Sequence, residues 1–355
     1  MPRVLVVKTS SLGDVIHTLP ALTDAAREIP DVVFDWVVEQ SFAEVPGWHA
    51  SVDQVIPVAV RRWRKHPVQA WRSGEWAQFK EQVGRYQYDA VIDAQGLLKS
   101  AWLTRYAKGD CYGLDQVSAR EPIASRFYDH PITVAKDQHA VERVRQLFSQ
   151  VLGYSLSGQL GECSLSFNAV RQKSVVFLHG TTWASKHWPE ASWIELGGLL
   201  QEAGYSVKLP WGNEVEKFRA KRIAERCIGE QGGAEVLPQM SLTELAVLLS
   251  ASAGCVSVDT GLGHLAGAVD TPTLALFGPT NSSLTGFYGK NQQSLQSTFH
   301  CAPCMSRDCR YKLAPRAFPP CFEELSAAKV FQQFVEMHDK IAFSSNIISP
   351  TGAAE

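Results

Sequence analysis

Residues 3–14, RVLVVKTSSLGD, combine a short apolar run with a turn of small residues and an acidic residue. The run over 3–8 is rich in β-branched residues and ends at a turn, which is typical of a strand buried in a parallel sheet. Apolar residues at helical spacing follow over 15–28. The stretch therefore predicts a strand, a tight turn and a helix, the opening unit of an alternating α/β domain.

The same alternation continues outward from this stretch and predicts two domains. In the first half we expect strands at 34–38, 54–58 and 90–94, and helices at 69–86, from 97, and at 139–152. The pattern fades into Ser, Gly and Asn around 155–172 and then restarts. The second half predicts strands at 174–179, 205–209, 255–258 and 273–277, and helices at 188–203, 215–227, 242–251 and 261–269.

A chain of 355 residues is long enough for two domains of ordinary size. We predict an α/β protein with two Rossmann-like domains, at 1–160 and 170–322, facing across a cleft, then a helix at 323–341 and a loose tail at 342–355. Ligands of open α/β sheets bind beyond the carboxyl ends of the strands, so the loops there should carry the chemistry.

Composition excludes several classes of function. The formal net charge of −2 argues against a protein that covers nucleic acid. No apolar run approaches the roughly 18 residues that a membrane span needs. The first residues lack the long apolar core of a signal peptide, so we expect a cytoplasmic protein that meets any lipid at the membrane surface.

The first chemical loop, residues 9–14, follows the first strand. Gly13 permits a tight turn, and Asp14 falls at the start of a helix, where the helix dipole favours a negative charge. A carboxylate there suits a general base, although Asp is also among the commonest N-caps. From spacing alone, both interpretations of Asp14 stay open.

Two loops of the second half are candidates for anion binding. His179-Gly180-Thr181-Thr182 with Lys186, and Asp259-Thr260-Gly261-Leu262-Gly263-His264, both lie at strand-to-helix junctions, where backbone amides are available. Hydroxyls and a Lys could bind a diphosphate, and Asp259 could accept hydrogen bonds from sugar hydroxyls. The alternatives are a capped loop with a solvated Lys, and a His264 that is packed for structural reasons.

Cations and the absence of a metal motif complete the pattern. The run Arg61-Arg62-Trp63-Arg64-Lys65 follows the third strand as a loop, and Arg120 lies in another loop. Arg side chains match carboxylates and phosphates, so an acidic acceptor is expected, with a solvated surface as the alternative. The chain has no Asp-x-Asp pair, which indicates leaving-group stabilisation by helix ends and cations rather than by a metal.

At these loops the sequence resembles the lipopolysaccharide heptosyltransferases of glycosyltransferase family 9. The matching stretches run from residue 4 to about 280: VLVVKTSSLGDVIHTLPALTDA, FDWVVE, VIPVAVRRWRK, YDAVIDAQGLLKSA, SAREPIAS, HAVER, KHWPE, KLPWG, VSVDTGLGHL and FGPT. The resemblance implies a GT-B fold, an acceptor-binding first domain and an ADP-sugar-binding second domain. It implies inverting transfer of L-glycero-D-manno-heptose from ADP-heptose to the Kdo of Kdo-lipid A at the cytoplasmic face of the inner membrane, with no cofactor.

The resemblance also implies roles for individual residues. It makes Asp14 the base, with Ser10 and Ser11 on the same loop, and it gives Lys186 a catalytic role beside the diphosphate. The implied donor-binding residues are Thr181, Thr182, Lys186, Glu216, Met240, Asp259, Thr260, Gly261 and His264. The implied acceptor-binding residues are Ser10, Ser11, Arg61, Arg62, Arg64 and Arg120.

The C-terminal region departs from the expected pattern. Cys301, Cys304, Cys309 and Cys321 are spaced C-x2-C-x4-C-x11-C in a Pro-rich segment. Four thiols this close allow a structural zinc site, and free thiols are the alternative. A relative that adds a later heptose, a sugar-nucleotide epimerase and a non-catalytic binding protein are the competing functions.

Overall fold

The computed structural model describes residues 1–167, 169–229, 232–312 and 317–347. The chain divides into two compact units, residues 1–166 and 167–355. Among the described residues, no helix is both long enough and apolar enough to cross a membrane.

The first unit is a parallel sheet with helices between its strands. Its strands are β1 (Arg3–Val7), β2 (Val33–Glu39), β3 (Val52–Val58), β4 (Ala90–Asp93), β5 (Cys111–Leu114) and β6 (His130–Ile132). Its helices are α1 (Leu12–Ile16), α2 (Leu19–Glu28), α3 (Val60–Lys65), α4 (Pro67–Arg72), α5 (Glu75–Val83), α6 (Leu98–Thr104) and α7 (Ala140–Leu152). The strand order is β3-β2-β1-β4-β5-β6, with every pairing parallel. This is the Rossmann order, in which β1 and β4 lie at the centre.

The central strand is apolar because both faces of the sheet are covered. Val4, Leu5, Val6 and Val7 are all fully buried, as expected for a strand between two helical layers. The carboxyl ends of β1 and β4 are neighbours, since β1 pairs with β4 from Val4 to Val7. The turn after each strand therefore opens at the same edge of the sheet.

Three predictions for this unit were wrong in detail, and two of its strands were not predicted. The helix predicted over 15–28 is two helices, and it breaks before α2, where Pro20 cannot donate a backbone hydrogen bond. The helix predicted over 69–86 breaks at Gly74, whose φ of +77° is unsuited to a continuous helix. The basic run predicted as a loop lies in the helix α3. The strands β5 and β6, of 4 and 3 residues, are too short to show a pattern.

The second unit repeats the architecture. Its strands are β7 (Gln172–Leu178), β8 (Ser206–Leu209), β9 (Ile228–Gly229), β10 (Gly232–Gly233), β11 (Glu235–Val236), β12 (Ser252–Val258), β13 (Thr273–Phe277) and β14 (Gln292–Gln296). Its helices are α8 (Glu190–Glu202), α9 (Glu214–Ala224), α10 (Leu242–Ala251), α11 (Gly261–Ala268), α12 (Ser282–Thr285) and α13 (Ala327–Ile347). The parallel sheet has the order β11-β8-β7-β12-β13-β14, again the Rossmann order, and β9 and β10 form a separate antiparallel pair.

The last helix differs from its predicted bounds. It begins at Ala327 rather than 323 and continues through 347, beyond the predicted end at 341. Val330 and Phe334 are fully buried in the same apolar core as Phe177 and Trp193, so α13 belongs to the second unit. The part of the predicted tail over 348–355 lies outside the described residues.

Candidate functional site

The turn after β1 holds Asp14 in a capping arrangement. Ser11 is the N-cap of α1 and Asp14 is its third helical residue, so Asp14 is not itself the N-cap. Oδ2 of Asp14 accepts hydrogen bonds from the Ser11 backbone N–H at 2.7 Å and from the Ser11 hydroxyl at 2.9 Å. Within the described ranges, no hydrogen bond reaches the second oxygen, Oδ1. The carboxylate thus stabilises the turn through one oxygen, in the manner of a capping box.

Gln95 fixes this turn from the neighbouring strand. Its Oε1 accepts hydrogen bonds from the Thr9 backbone N–H at 2.7 Å, the Thr9 hydroxyl at 2.8 Å and the Ser10 backbone N–H at 3.2 Å. Its amide nitrogen donates to the Ser10 carbonyl. The sequence analysis assigned no role to Gln95, although the stretch YDAVIDAQGLLKSA contains it. Its role depends on the pairing of β1 with β4, which the sequence does not display.

Asp93 in turn fixes Gln95. The buried Asp93 carboxylate accepts from the Gln95 backbone N–H at 2.8 Å, from the Ser100 hydroxyl at 2.9 Å and from the Tyr128 hydroxyl at 2.8 Å. Burial raises the pKa of Asp93, and these hydrogen bonds oppose the shift. The turn that contains Gly96 (φ +66°) is therefore held from below by a buried polar network.

We predict that Gln95→Leu weakens both the fold and the reaction. The variant leaves buried donors of Thr9 and Ser10 without an acceptor, which should lower the free energy of unfolding by about 1–3 kcal/mol. The loop that positions Asp14 would loosen, so turnover should fall by about tenfold or more. Urea unfolding and initial rates measure both effects. Gln150→Leu, which removes one exposed hydrogen bond in α7, is the control; equal behaviour of the two variants would contradict the prediction.

Cations surround the Asp14 turn. The Lys8 side chain is buried and donates to the Ala94 carbonyl at 2.7 Å; burial lowers its pKa, and the charge of Asp14 opposes that shift. Lys99 donates to the Ser10 hydroxyl at 3.0 Å, and burial together with the charge of Arg61 lowers its pKa. Sequence reasoning gave neither lysine a role at this site.

The structure separates the predicted acceptor-binding arginines into two kinds. Both guanidinium nitrogens of Arg62 donate to Glu75, at 2.9 and 2.8 Å, and hydrogen bonds from Trp63 and Arg62 lower the pKa of Glu75. Arg61, Arg64 and Arg120 are exposed. No ion pair of these three is found among the residues that the structure describes. Arg62 therefore serves the structure of α3, while the other three remain available for an acidic ligand.

In the second unit, the loops after β7, β12 and β13 meet around Asp259. Lys186 Nζ lies 2.7 Å from Asp259 Oδ2, with both side chains mostly buried. The Thr280 hydroxyl donates to the same oxygen at 2.6 Å, and the Thr181 hydroxyl donates to the Asp259 carbonyl at 3.2 Å. Lys186 also lies 4.4 Å from the ring centroid of Trp183. An ammonium group has three donors, so Lys186 can hold Asp259 and still donate to a phosphate.

Glu216 lies beside the first of these loops. Its carboxylate accepts from the Gly212 backbone N–H at 2.8 Å. A Cβ added at Gly180 would lie 2.7 Å from the Glu216 carboxyl carbon, so the Glu216 side chain would have to move if any other residue replaced this glycine. Thr182 is exposed, and Met240 is partly buried in the segment before α10. Within the described chain, no hydrogen bond, ion pair or ring contact joins Thr182 or Met240 to the Lys186–Asp259 pair.

The start of α11 contributes backbone amides and a buried imidazole. Thr260 is the N-cap of α11 and Gly261 is its first residue, so the amide groups of this turn follow Asp259 directly. The His264 ring is 8% exposed and makes an edge contact with Phe287, with 5.0 Å between ring centroids. His264 is thus buried and packed against an aromatic ring, as the structural interpretation of this residue predicts. Contact between His264 and a phosphate stays a prediction.

The four C-terminal cysteines line one cavity of the second unit. Cys301, Cys304, Cys309 and Cys321 line one cavity of about 530 Å³. All four are free thiols, and burial raises the pKa of Cys321 to about 12 and raises that of Cys301. A zinc ligand is a thiolate. Across the described ranges, no group of three His, Cys, Asp or Glu side chains is placed to hold a metal ion, and a zinc site at these cysteines stays a prediction.

Two Rossmann-like domains, with hydroxyls, cations and amides at the carboxyl ends of their strands, define the GT-B class of glycosyltransferase fold. The sequence model of glycosyltransferase family 9 (heptosyltransferase) matches residues 76–314. Lipopolysaccharide heptosyltransferase 1 of Pseudomonas aeruginosa is 54% identical over 350 residues, covering 94% of this chain and 98% of that protein. The same-named protein of Escherichia coli K12 is 52% identical over 297 residues, covering 82% and 92%.

Solved structures agree with the sequence relatives. The structure described as E. coli heptosyltransferase WaaC with ADP has a TM-score of 0.81 and 47% identity, covering 95% of this chain and 99% of that one. The chain belongs to glycosyltransferase family 9, the heptosyltransferases.

Proposed function

We propose that this chain transfers L-glycero-D-manno-heptose from ADP-heptose to the Kdo residue of Kdo-lipid A, the first heptose addition to the lipopolysaccharide inner core. The observation that carries the proposal is the match, over nearly their whole length, to proteins named lipopolysaccharide heptosyltransferase 1. The relative solved with ADP supports an adenine nucleotide donor. The local chemistry of each unit supplies a mechanism for such a transfer.

The first unit would bind the acceptor and take its proton. The free oxygen of Asp14 accepts the proton of the attacking Kdo hydroxyl as the new glycosidic bond forms. Ser10 and Ser11 line the same turn, and Arg61, Arg64 and Arg120 would meet the acidic Kdo and lipid A phosphates. Arg62 would act through Glu75, by fixing α3, rather than by touching the acceptor.

The second unit would bind the donor and accept the leaving charge. As the bond from the anomeric carbon to the diphosphate breaks, its electron pair stays on the β-phosphate oxygen. Lys186, the hydroxyls of Thr181 and Thr182, and the amides at the start of α11 would stabilise that charge. Asp259 would accept sugar hydroxyls, Glu216 would meet the ribose, and His264 and Met240 would border the phosphates and the adenine. The displacement is single, so the anomeric configuration inverts.

The setting of the reaction is part of the same proposal. The acceptor is a lipid, and the exposed cations of α3 suit an anionic surface, so the protein would act as a peripheral protein on the cytoplasmic face of the inner membrane. No metal would be required, because Lys186 and the backbone amides occupy the role that Mg²⁺ would have beside a diphosphate.

A transfer assay with a chelator tests these statements together. With ADP-heptose, Kdo-lipid A and EDTA present, we expect ADP release and a lipid product heavier by one heptose. Donor alone is the control, since an epimerase would convert the sugar nucleotide without any acceptor. An unchanged lipid with folded protein would exclude the first-heptose acceptor, and a lipid that already carries heptose would then be the next substrate. Loss of transfer in EDTA that Mg²⁺ restores would contradict metal independence.

A further inference from the structure

The first unit contains a cavity of about 790 Å³ whose walls are mostly apolar and unusually rich in tryptophan. It lies among α3, α4, α5 and α6. The lining residues that matter most here are Trp63, Trp71, Trp76, Leu98 and Trp102. The volume is in the range of pockets that hold a small organic ligand. The mechanism proposed above uses none of its aromatic residues.

The inner wall consists of aromatic rings packed against each other, and the outer wall is open to solvent. Trp76 stacks on Trp102 with 4.9 Å between ring centroids, and Trp63 meets Trp76 edge-on at 5.4 Å. At the mouth, Trp71 is 73% exposed, Trp102 44% and Leu98 41%. Tryptophan side chains that enclose an apolar surface and leave part of it exposed are typical of a protein face that contacts lipid.

The cavity offers few polar groups to a sugar or a nucleotide. The Trp63 indole N–H donates to Glu75 at 2.7 Å, and the Glu121 carboxylate accepts from the Leu98 backbone N–H at 2.7 Å. These groups already have partners. Apart from the cations Arg64 and Lys99, the remaining wall is indole, phenyl and aliphatic carbon, so a hydrocarbon chain suits it better than a ligand that must form many hydrogen bonds.

Charges at the rim connect the cavity to the Asp14 turn. Arg64 and Lys99 line the cavity, and Arg61 and Lys65 lie on the same short helix as Arg64. Lys99 also donates to Ser10, on the turn that carries Asp14. The apolar cavity thus lies next to the cationic rim, and the rim lies next to the proposed base, Asp14. An acidic lipid has its acyl chains, phosphates and sugar in the same order.

We propose that this cavity takes an acyl chain of the lipid acceptor while its rim cations meet the acidic head group. The proposal rests on the proposed function, because it assumes a lipid acceptor. It adds a binding site for the hydrocarbon part of that lipid, so recognition of the acceptor would extend beyond its sugar. The acyl chain would be held out of the bilayer beside the Asp14 turn.

Two variants and two acceptors test this site. Leu98→Asp places a carboxylate at the mouth, at the first residue of α6, where an acidic residue is favourable to the helix. Trp71→Ala removes the most exposed wall and should leave the fold intact. Val247→Asp, on a side chain with the same 41% exposure in the second unit, is the matched control. Each is assayed with Kdo-lipid A and with the same acceptor after its acyl chains have been removed.

We expect KM for the acylated acceptor to rise by about tenfold in Leu98→Asp and Trp71→Ala, the equivalent of losing the burial of about two methylene groups. Their KM for the deacylated acceptor, and both constants of the control, should stay within about twofold of the wild-type values. An equal rise for both acceptors would assign the residues to the head group and overturn the acyl site.

Other outcomes are equally decisive. If KM is unchanged for both acceptors but the variants bind plain phospholipid vesicles more weakly, the cavity serves the bilayer and not the acceptor, and the proposal is wrong. If the wild-type protein transfers heptose to neither acceptor, the proposed function fails before the cavity is tested. If the wild-type protein transfers heptose to both acceptors, unchanged KM values in the variants contradict the acyl site and leave the proposed function standing.

Discussion

Replacing Asp14 by Ala is expected to lower turnover by about 10³-fold or more, since a well-placed general base contributes roughly 10²–10⁴-fold. The physical reason is that the attacking hydroxyl would have to lose its proton to water while the glycosidic bond forms. The proposed donor-binding residues all lie in the second unit, so the Kd for ADP-heptose should stay within about twofold. Initial rates and calorimetric titration with the donor measure the two quantities.

Asp14→Asn separates the two roles of this side chain. An amide oxygen can still accept from the Ser11 backbone N–H, as Oδ2 of Asp14 does at 2.7 Å, but it cannot take a proton. We therefore expect Asp14→Asn to unfold at nearly the wild-type temperature and to be almost as inactive as Asp14→Ala. Asp31→Asn is the control, because Asp31 is exposed with a φ of 57°, a conformation that Asn tolerates. Turnover near the wild-type rate in Asp14→Asn would mean that Asp14 serves only the capping box at the start of α1.

Replacing Lys186 by Met is expected to lower turnover by about 10²–10³-fold, the size of effect seen when one donor to a developing negative charge is removed. The ammonium group would stabilise the departing diphosphate, and this interaction strengthens as the bond to the sugar breaks. Turnover should consequently fall more than donor affinity. Single-turnover rates at saturating donor, together with the Kd for ADP-heptose, distinguish a loss in the chemical step from a loss of binding.

The Lys186 variant also needs a control for stability. Lys186→Met leaves the Asp259 carboxylate without its cation in a mostly buried position, which destabilises a fold. The double variant Lys186→Met/Asp259→Asn removes both charges, so it should recover thermal stability but not turnover. Lys329→Met, on the exposed side of α13, controls for loss of a lysine elsewhere. Recovery of turnover in the double variant would show that Lys186 acts only by neutralising Asp259.

The sequence by itself was sufficient to predict the alternating α/β architecture and the strand-to-helix loops in which the candidate site residues lie. Residues 3–14 predict a strand, a turn and a helix because strand burial, glycine turns and helix starts depend on neighbours in the chain. The predicted ends of helices and strands were less accurate, because a local apolar pattern does not by itself mark where an element ends. The apolar patterns continue across the breaks at Pro20 and Gly74. A strand as short as β6 contains too few residues to show an alternating pattern.

The tertiary structure decided which residues far apart in the chain contact each other. Gln95 contacts Thr9 because β1 pairs with β4, and Lys186 and Thr280 meet at Asp259 because β7, β12 and β13 are neighbours in one sheet. The same geometry pairs Arg62 with Glu75, groups four thiols in one cavity, and closes a tryptophan-walled cavity among four helices. A sequence pattern reports local spacing, whereas hydrogen bonds, ion pairs and cavities depend on distances that exist only after the sheets have formed.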